Sequence, residues 1–246
     1  MPILQEKLGL RQSVGATDIT LGCSSFVYGL ALAKGLLLSG SSENILLVVA
    51  DTITKHINTK DKSTRTLFGD GAAATLIHDD PSAAFGIGEF VFGTDGSGAR
   101  NLIIPAGGMA LPRSFKTATE TVDESGNVRS LNNLFMDGPA IFNFTLDRIP
   151  KAIEETLHKN RLSKEEIKLF VFHQANKFIL ETLRDKLEIP EERFYINMED
   201  KGNTAGASLP IALADALKDG RIQRGDKILL AGFGVGYSWA ACILEW

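Results

Sequence analysis

The chain has 246 residues, 44% of them hydrophobic, which is enough to bury a sizeable core in one large domain or in two packed halves. A formal net charge of -4, with Lys and Arg scattered along the chain, argues against a nucleic-acid-binding protein. Two cysteines and the lack of any apolar run of 18 residues argue against a disulfide-rich secreted protein or a membrane protein. We therefore expect the protein in the reducing cytoplasm.

The histidines and cysteines show no metal-binding pattern. His56, His78, His158 and His173 stand far apart without an HxxxH pair, and neither cysteine belongs to a CxxC motif. We expect no structural metal site.

The first part of the chain, residues 1–80, alternates helix-like and strand-like segments. In order come the helix PILQEKLGL, the strand ATDITL, Cys23, the helix SSFVYGLALAKGLLL, and the strands ENILLVVADT and GDGAAATLIHDD. This alternation is typical of a sheet covered by helices, so the predicted class is α/β. The helix after Cys23 has Lys34 as its one charged residue, and we expect it to be buried in the middle of the molecule.

The middle segment, residues 81–140, is rich in glycine and polar residues. It contains the stretches GIGEFVFGTDGSGARNLIIPAGG and KTATETVDESGNVRS. Such composition predicts connecting loops and hairpins that lie over one end of the sheet and shape a substrate pocket. For residues 116–130 alone, a disordered surface excursion is the favoured interpretation.

The last segment, residues 141–246, repeats the order of elements in the first. It opens with the helix IFNFTLDRIPKAIEETLHKN, a turn in which Ser163 is the N-cap before Glu166, and a strand that ends at His173. The repeated part is the helix ANKFILETLRDKLEI, the strand RFYIN, Asn203, the helix ASLPIALADALKDG, and the strands DKILLAGFG and GVGYSWAACILEW. Cys23 and Asn203 therefore occupy equivalent corners between a strand and a helix.

The first unit has no counterpart of the helix and strand that lead to His173. Either the duplication is partial or the chain begins inside a larger fold, and we favour the second explanation. A strand lost from inside a sheet would leave unpaired backbone groups. We therefore expect this sequence to be a fragment of a longer protein, or to have a misplaced start.

Cys23 is the first candidate nucleophile. At the start of a helix, free N–H groups and the positive end of the dipole should stabilise the thiolate and lower its pKa. From this residue alone, an inert apolar cysteine is an equally good interpretation. For Cys242, inside the apolar strand of WAACILEW, the inert interpretation is strongly favoured.

Two further polar residues stand where ligands bind in α/β folds. His173 follows the apolar run LFVF at a strand end, where an imidazole could act as a general base or as a hydrogen-bond donor. Asn203 could donate to an oxyanion or enolate, although a helix N-cap explains it as well. The loop GFGVG, residues 232–236, is either a tight hairpin or a source of a backbone N–H for the same point.

The motifs GCSSFVYGL, FHQAN, GNTAGASLPIAL and GFGVGYSW, in that order, resemble the ketoacyl-ACP synthase III branch of the thiolase superfamily. LFGDGAAATLI, TDGSGARNLIIPAGG and FMDGPAIFNFTLDRIP resemble it too, so the likeness spans essentially the whole chain. It implies an internally duplicated, thiolase-like αβαβα fold that forms a homodimer. Residues 1–80 would be the remainder of the N-terminal half, and residues 141–246 the C-terminal half.

The resemblance also implies the reaction, a decarboxylating Claisen condensation of an acyl-CoA primer with malonyl-ACP that gives 3-oxoacyl-ACP. Cys23 would carry the acyl group, and His173 and Asn203 would promote decarboxylation of the malonyl thioester. The backbone N–H groups of Cys23 and Val235 would hold the oxyanion. No cofactor is implied, since CoA and acyl carrier protein thioesters are the substrates.

The FHQAN motif also marks the predicted contact with the carrier protein, at Gln174, Ala175, Asn176 and Lys177. The family usually has an arginine two positions after the asparagine, and here Phe178 stands there. Lys177, Arg184 and Lys186 could present a basic surface to an acidic carrier, but a solvated helix face explains them equally well.

Other functions remain open from the sequence. A polyketide-type, alkylquinolone-type or hydroxymethylglutaryl-type synthase would use the same three residues on another acceptor. A non-catalytic fragment or scaffold is the alternative from a different class, and the intact Cys23, His173 and Asn203 weigh against it.

Overall fold

A computed structural model of the chain describes residues 1–80 and 85–246, so the first four residues of the predicted connecting segment lie outside the described residues. The helices are α1 (Pro2–Lys7), α2 (Ser25–Leu38), α3 (Lys62–Arg65), α4 (Gly138–Asn160), α5 (Lys177–Lys186) and α6 (Ser208–Lys218). The strands are β1 (Asn44–Asp51), β2 (Gly71–His78), β3 (Ile87–Thr94), β4 (Leu102–Ile103), β5 (Thr121–Val122), β6 (Val128–Arg129), β7 (Phe135–Met136), β8 (Leu169–Phe172), β9 (Phe194–Tyr195), β10 (Lys227–Gly234) and β11 (Ser238–Glu245).

The larger sheet has five strands in the order β3-β11-β10-β8-β9. Strand β8 is parallel to β9 and β10, whereas β11 is antiparallel to β10 and β3. Strands β1 and β2 form a separate antiparallel pair. The apolar runs LFVF and ILLAGFG are fully buried, as expected for strands covered on both faces.

The two sheets enclose a layer of helices. Helix α2 contacts β1, β10 and β11, and helix α6 contacts β2 and β8. On the far face of the larger sheet, α4 covers β3, β10 and β11 and contacts α5. Two apolar cores result, one between the sheets around Phe26 and Leu209 and one beneath α4 and α5 around Ile153 and Phe172.

This layering confirms the α/β class and the internally duplicated, thiolase-like arrangement. Four of the five expected layers are described. Helix α1 has no buried residue, so it does not form a packed fifth layer.

The predicted strand ATDITL is wrong, because residues 16–21 have no regular structure. Its counterpart in the repeat is β9, which pairs with β8 alone. Within the described ranges, no segment takes the place of β8 beside β1, so the backbone of residues 16–21 has no neighbouring strand to bind.

Helix α2 is buried on one side, contrary to the prediction of burial all round. Phe26, Val27 and Leu30 face the core, whereas Leu32 and Leu38 are 53% and 78% exposed. The buried side faces the two sheets, and no described element covers the other.

The middle segment contributes a strand to the larger sheet in addition to loops and hairpins. Strand β3 pairs with β11, which a glycine-rich composition did not indicate. Packing explains why a glycine stands inside this strand. A Cβ on Gly93 would lie 1.9 Å from the indole of Trp239, so the glycine makes room for this side chain on the neighbouring strand.

Residues 116–130 are ordered, so the favoured interpretation of a disordered excursion is wrong. They contain the hairpin of β5 and β6. Arg129 binds Asp61, whose side chain is fully buried, with an Nη1 to Oδ2 distance of 3.0 Å, and it also binds Asp123. The partner Asp61 lies 68 residues away, so local composition could not indicate it.

None of the helices in the described parts of the chain has the length and apolarity needed to cross a bilayer.

Candidate active site

Cys23 lies two residues before α2, in a turn closed by the N–H of Ser25, which donates to the carbonyl of Gly22 (2.9 Å). The turn packs against the glycine-rich end of β10. A Cβ on Gly234 would lie 2.6 Å from Sγ of Cys23, and one on Gly232 would lie 2.9 Å from its carbonyl oxygen. These two positions must therefore be glycine for Cys23 to lie this close to the strand.

The glycine loop is the tight hairpin that the sequence indicated, since Gly234 at the end of β10 pairs with Ser238 at the start of β11. The backbone N–H of Val235 in this hairpin interacts with the Cys23 thiol. Buried Ser24 and Ser238 join the two sides, with their Oγ atoms 2.7 Å apart. The hairpin and the start of α2 are thus held together around Sγ.

The expected low pKa of Cys23 is wrong for the resting protein. Burial raises the pKa of the thiol to about 12, the Val235 N–H opposes this, and the nearby charge of Asp51 adds to it. The side chain is only 5% exposed, so loss of hydration outweighs the stabilisation by backbone N–H groups. The thiol is neutral at neutral pH.

His173 directly follows β8 and is 2% exposed. Its backbone N–H donates to the carbonyl of Ala231 on β10 (2.8 Å), and Nδ1 of its ring lies 2.7 Å from Oγ of Ser208. The imidazole meets the ring of Phe233 edge-on, with 5.6 Å between centroids. Burial lowers the pKa of His173 to about 4, although a hydrogen bond with the backbone of Ala205 opposes this, so the ring is neutral at pH 7.

Asn203 is held between the two halves of the molecule. Its N–H donates to the carbonyl of Leu67 (2.8 Å), and its carbonyl accepts from the N–H of Gly69 (3.0 Å). Its Oδ1 accepts from the N–H of Ala205 (2.9 Å), which fixes the orientation of the carboxamide. Among the described residues Nδ2 meets no acceptor, so it is left to donate to a bound molecule.

The fold brings the three predicted residues to one place, although they are 150 and 30 positions apart in the sequence. The link is the turn after Asn203. Ala205 hydrogen bonds both Asn203 and the ring of His173, and a Cβ on Gly206 would lie 2.9 Å from the carbonyl oxygen of Gly22, next to Cys23. A thiol, an imidazole and a carboxamide thus surround a site that backbone N–H groups also reach.

The buried neutral imidazole predicts a pH-dependent stability. In the unfolded chain His173 takes up a proton below pH 6.5, but in the folded protein it does so only near pH 4. The free energy of unfolding should therefore fall by about 3 kcal/mol from this group alone as the pH falls from 7 to 4. Urea unfolding at pH 7 and pH 4 would measure this loss of unfolding free energy. Between the same two pH values, His173→Gln should lose about 3 kcal/mol less than the wild type. A parallel loss in both proteins would contradict the burial of a neutral ring.

The predicted carrier-protein contacts divide into buried and accessible residues. Gln174 is not accessible to a carrier protein, contrary to the prediction. It is 1% exposed, and its side chain is hydrogen-bonded to the backbone of Phe172, Tyr195 and Asn197. Ala175 and Asn176 are half-buried, and Asn176 caps α5 by accepting from the N–H of Ile179.

The accessible part of this region is the start of α5. Lys177 is exposed, and Phe178 is 68% exposed and stacks on Phe142. Arg184 is already bound to Asp185, so it contributes less free positive charge than the sequence suggested. Lys177 and Phe178 are thus the residues that a carrier could touch.

Cys242 is fully buried within β11, and burial raises its pKa to about 12. This placement agrees with the inert interpretation.

Two further residues of the site, Ser208 and Asp51, were not predicted from the sequence. Ser208 touches the catalytic candidate His173, and Oδ2 of Asp51 accepts from the N–H of Gly206 (3.0 Å). Neither belongs to a pattern that indicates chemistry. Only the pairing of strands and helices brings them to the site.

Comparison with known proteins identifies the family. The profile of 3-oxoacyl-[acyl-carrier-protein (ACP)] synthase III matches residues 17–96, and the profile of the C-terminal part of that synthase matches residues 157–246. The β-ketoacyl-[acyl-carrier-protein] synthase III of Caldanaerobacter subterraneus subsp. tengcongensis is 39% identical over 244 residues, which are 99% of this chain and 70% of that protein. The chain belongs to the β-ketoacyl-ACP synthase III family.

Other members of the family agree in sequence and structure. The synthase III of Fusobacterium nucleatum is 34% identical, over 99% of this chain and 71% of its own. A crystal structure of a 3-oxoacyl-(acyl-carrier-protein) synthase III superposes with a TM-score of 0.98 at 46% identity, covering 100% of this chain and 73% of that one. The synthase III of Thermus thermophilus gives a TM-score of 0.85 at 35% identity, covering 100% and 71%.

Proposed function

We propose that the protein is a condensing enzyme that transfers an acyl group from acyl-CoA to Cys23 and joins it to malonyl-ACP, giving 3-oxoacyl-ACP and carbon dioxide. The observation that carries this proposal is the meeting of the Cys23 thiol, the Val235 N–H, His173 and Asn203 at one buried point. Such a constellation suits acyl transfer followed by carbanion chemistry.

In the first step, Sγ of Cys23 attacks the thioester carbonyl of acyl-CoA. The new S–C bond first gives a tetrahedral intermediate, the bond to the CoA sulfur then breaks, and the thiol proton ends on the departing CoA. The backbone N–H groups of Cys23 and Val235 stabilise the negative oxygen of the tetrahedral intermediate. Because the resting thiol is neutral, these donors act as charge develops on sulfur and oxygen.

In the second step, His173 and Asn203 donate hydrogen bonds to the thioester carbonyl of malonyl-ACP. The bond to the carboxylate breaks, carbon dioxide leaves, and the electron pair passes into an enolate that the two donors stabilise. The enolate carbon then attacks the acyl carbonyl, forming the C–C bond as the S–C bond to Cys23 breaks. The thiolate of Cys23 finally takes up a proton from solvent, which replaces the proton that left with CoA in the first step.

Ser208 suits this role of His173. Its Oγ accepts from the N–H of Gln174 (3.2 Å), which leaves the hydroxyl proton to donate to Nδ1 of His173. A proton on Nε2 is then favoured, and a neutral ring with Nε2–H is a hydrogen-bond donor.

The partners follow from this reaction. Acyl-CoA and the carrier protein supply thioesters, and the steps above require no further cofactor. Exposed Lys177 and Phe178 would meet the carrier. We also propose a homodimer, which the exposed apolar side chains of Leu32, Leu46 and Leu76 support.

A second candidate is a priming synthase of a polyketide pathway. The priming β-ketosynthase of the R1128 polyketide pathway has a TM-score of 0.84 at 32% identity, over 99% of this chain and 69% of its own. The chemistry at Cys23 would be the same, and the acceptor or the later products would differ.

Product analysis tests the proposal. The protein is incubated with a panel of acyl-CoAs, each paired in turn with malonyl-ACP, malonyl-CoA or acetoacetyl-CoA. We expect 3-oxoacyl-ACP from malonyl-ACP. A product with acetoacetyl-CoA alone would instead indicate a hydroxymethylglutaryl-type synthase, and no product with any pair would favour a scaffold.

A further inference from the structure

Asp51, the last residue of β1, binds a segment 155 positions further along the chain. Its Oδ2 accepts from the N–H of Gly206 (3.0 Å), and the N–H of Ala207 also hydrogen bonds the carboxylate. Both donors belong to the 3-10 turn Ala205–Ala207 that leads into α6. The N–H of Ala207 also donates to the carbonyl of Thr204 (3.1 Å), whereas the half-buried carboxylate is the acceptor for the N–H of Gly206.

The bound turn supports both proposed decarboxylation residues. The N–H of Ala205 holds Oδ1 of Asn203, and the backbone of Ala205 also meets the ring of His173. Ser208, at the end of the turn, holds Nδ1 of His173. A shift of this turn would therefore move the carboxamide and the imidazole together.

The turn needs external support, because Ala205 has a φ of +49°, a conformation that is unfavourable for a residue with a side chain. The neighbouring Gly206 packs directly on the Cys23 turn, where a Cβ would lie 2.9 Å from the carbonyl of Gly22. The hydrogen bonds from Gly206 and Ala207 to Asp51 connect this strained turn to the first half of the molecule.

We propose that Asp51 is a positioning residue that holds the turn Asn203–Ser208 so that Asn203 and His173 face the malonyl thioester beside Cys23. This inference rests on the proposed function. It assigns to β1 a part in the second step of the reaction, whereas acylation of Cys23 depends on the hairpin at Val235.

Asp51 acts by accepting hydrogen bonds from the turn, and its negative charge does not favour the reaction at Cys23. The negative charge of Asp51 disfavours the thiolate of Cys23, so it opposes the nucleophile. Asp51→Asn removes the charge but keeps an acceptor oxygen, whereas Asp51→Ala removes both. The two variants therefore separate positioning from electrostatics.

The experiment measures the two half-reactions separately in Asp51→Ala, Asp51→Asn and the control Asp70→Asn. Asp70 is the neighbouring exposed carboxylate and binds Thr54 instead of the turn. Acylation of Cys23 is followed by the intact mass of the protein, and decarboxylation of malonyl-ACP by the release of carbon dioxide. In Asp51→Ala we expect decarboxylation to fall about 10- to 100-fold, as for a misplaced catalytic group, with acylation within about 3-fold of the wild type.

Asp51→Asn should retain most of the decarboxylation rate, and Asp70→Asn all of it. Amide hydrogen exchange at Gly206 and Ala207 should speed up in Asp51→Ala and stay slow in the control. Thermal unfolding verifies that each variant is folded.

An equal loss of both half-reactions in folded Asp51→Ala, or wild-type decarboxylation in it, overturns the inference. A folded Asp51→Asn whose decarboxylation falls about 10- to 100-fold also overturns the inference. If Asp51→Ala does not fold, the result for Asp51→Asn decides. If the wild-type protein itself forms no acyl-enzyme and decarboxylates nothing, the proposed function fails. Unchanged exchange at Gly206 in Asp51→Ala would then overturn the positioning role independently.

Discussion

Cys23→Ala is expected to abolish formation of the acyl-enzyme and to lower condensation at least about 1000-fold, the scale seen when a catalytic nucleophile is removed. The physical reason is that Sγ is the atom that carries the acyl group between the two steps. Incubation with acyl-CoAs followed by intact mass measurement should show a gain of one acyl group in the wild type and none in the variant.

The matched control is Cys242→Ala. This cysteine is also buried, and its pKa is also raised to about 12, but it lies inside β11 away from the glycine hairpin. The control should still gain one acyl group. A mass gain that persists in Cys23→Ala, or that disappears in Cys242→Ala, would show that Cys23 is not the acyl carrier.

His173→Ala and Asn203→Ala are expected to slow decarboxylation and condensation about 100- to 1000-fold each, the usual cost of losing one donor to a developing oxyanion. Acylation of Cys23 should persist, because the N–H of Val235 is untouched. Decarboxylation of malonyl-ACP and the mass of the acyl-enzyme, measured on the same samples, would separate the two steps.

Asn203→Asp sharpens this test. Its carboxylate oxygen can still accept from the N–H of Ala205, so the turn is retained, but the Nδ2 donor is gone. We expect this variant to fold and to decarboxylate as poorly as Asn203→Ala. Wild-type decarboxylation in Asn203→Asp would mean that Asn203 acts by holding the turn and not by donating to the substrate.

Several features of the fold and the site could be predicted from local patterns. The buried strand ending at His173 and the Ser163–Glu166 turn, where the carboxylate of Glu166 accepts from the N–H of Ser163, agree with the structure. Cys23 and Asn203 each come shortly before a helix, α2 and α6, as the internal repeat predicted, but the strand predicted before Cys23 does not form. These features depend on apolar periodicity, capping residues and glycine, which act over a few residues of chain.

Other features depend on distant partners. Residues 16–21 fail to form a strand for want of a neighbour, and residues 116–130 are ordered because Arg129 reaches Asp61. The same applies to Gln174, whose amide is bonded to backbone groups on two other segments. No window of sequence around these residues contains the groups that decide their structure.

The sequence by itself thus determined the class of fold, the repeat and the identity of the thiol, imidazole and carboxamide. Only the tertiary structure decided how these groups are tuned and held. Burial against β10 raises the pKa of Cys23 where the helix start alone would lower it, and Asp51 reaches across from the first half to the turn after Asn203. Hydration and long-range hydrogen bonds are properties of the packed chain, so they appear only once distant segments are in contact.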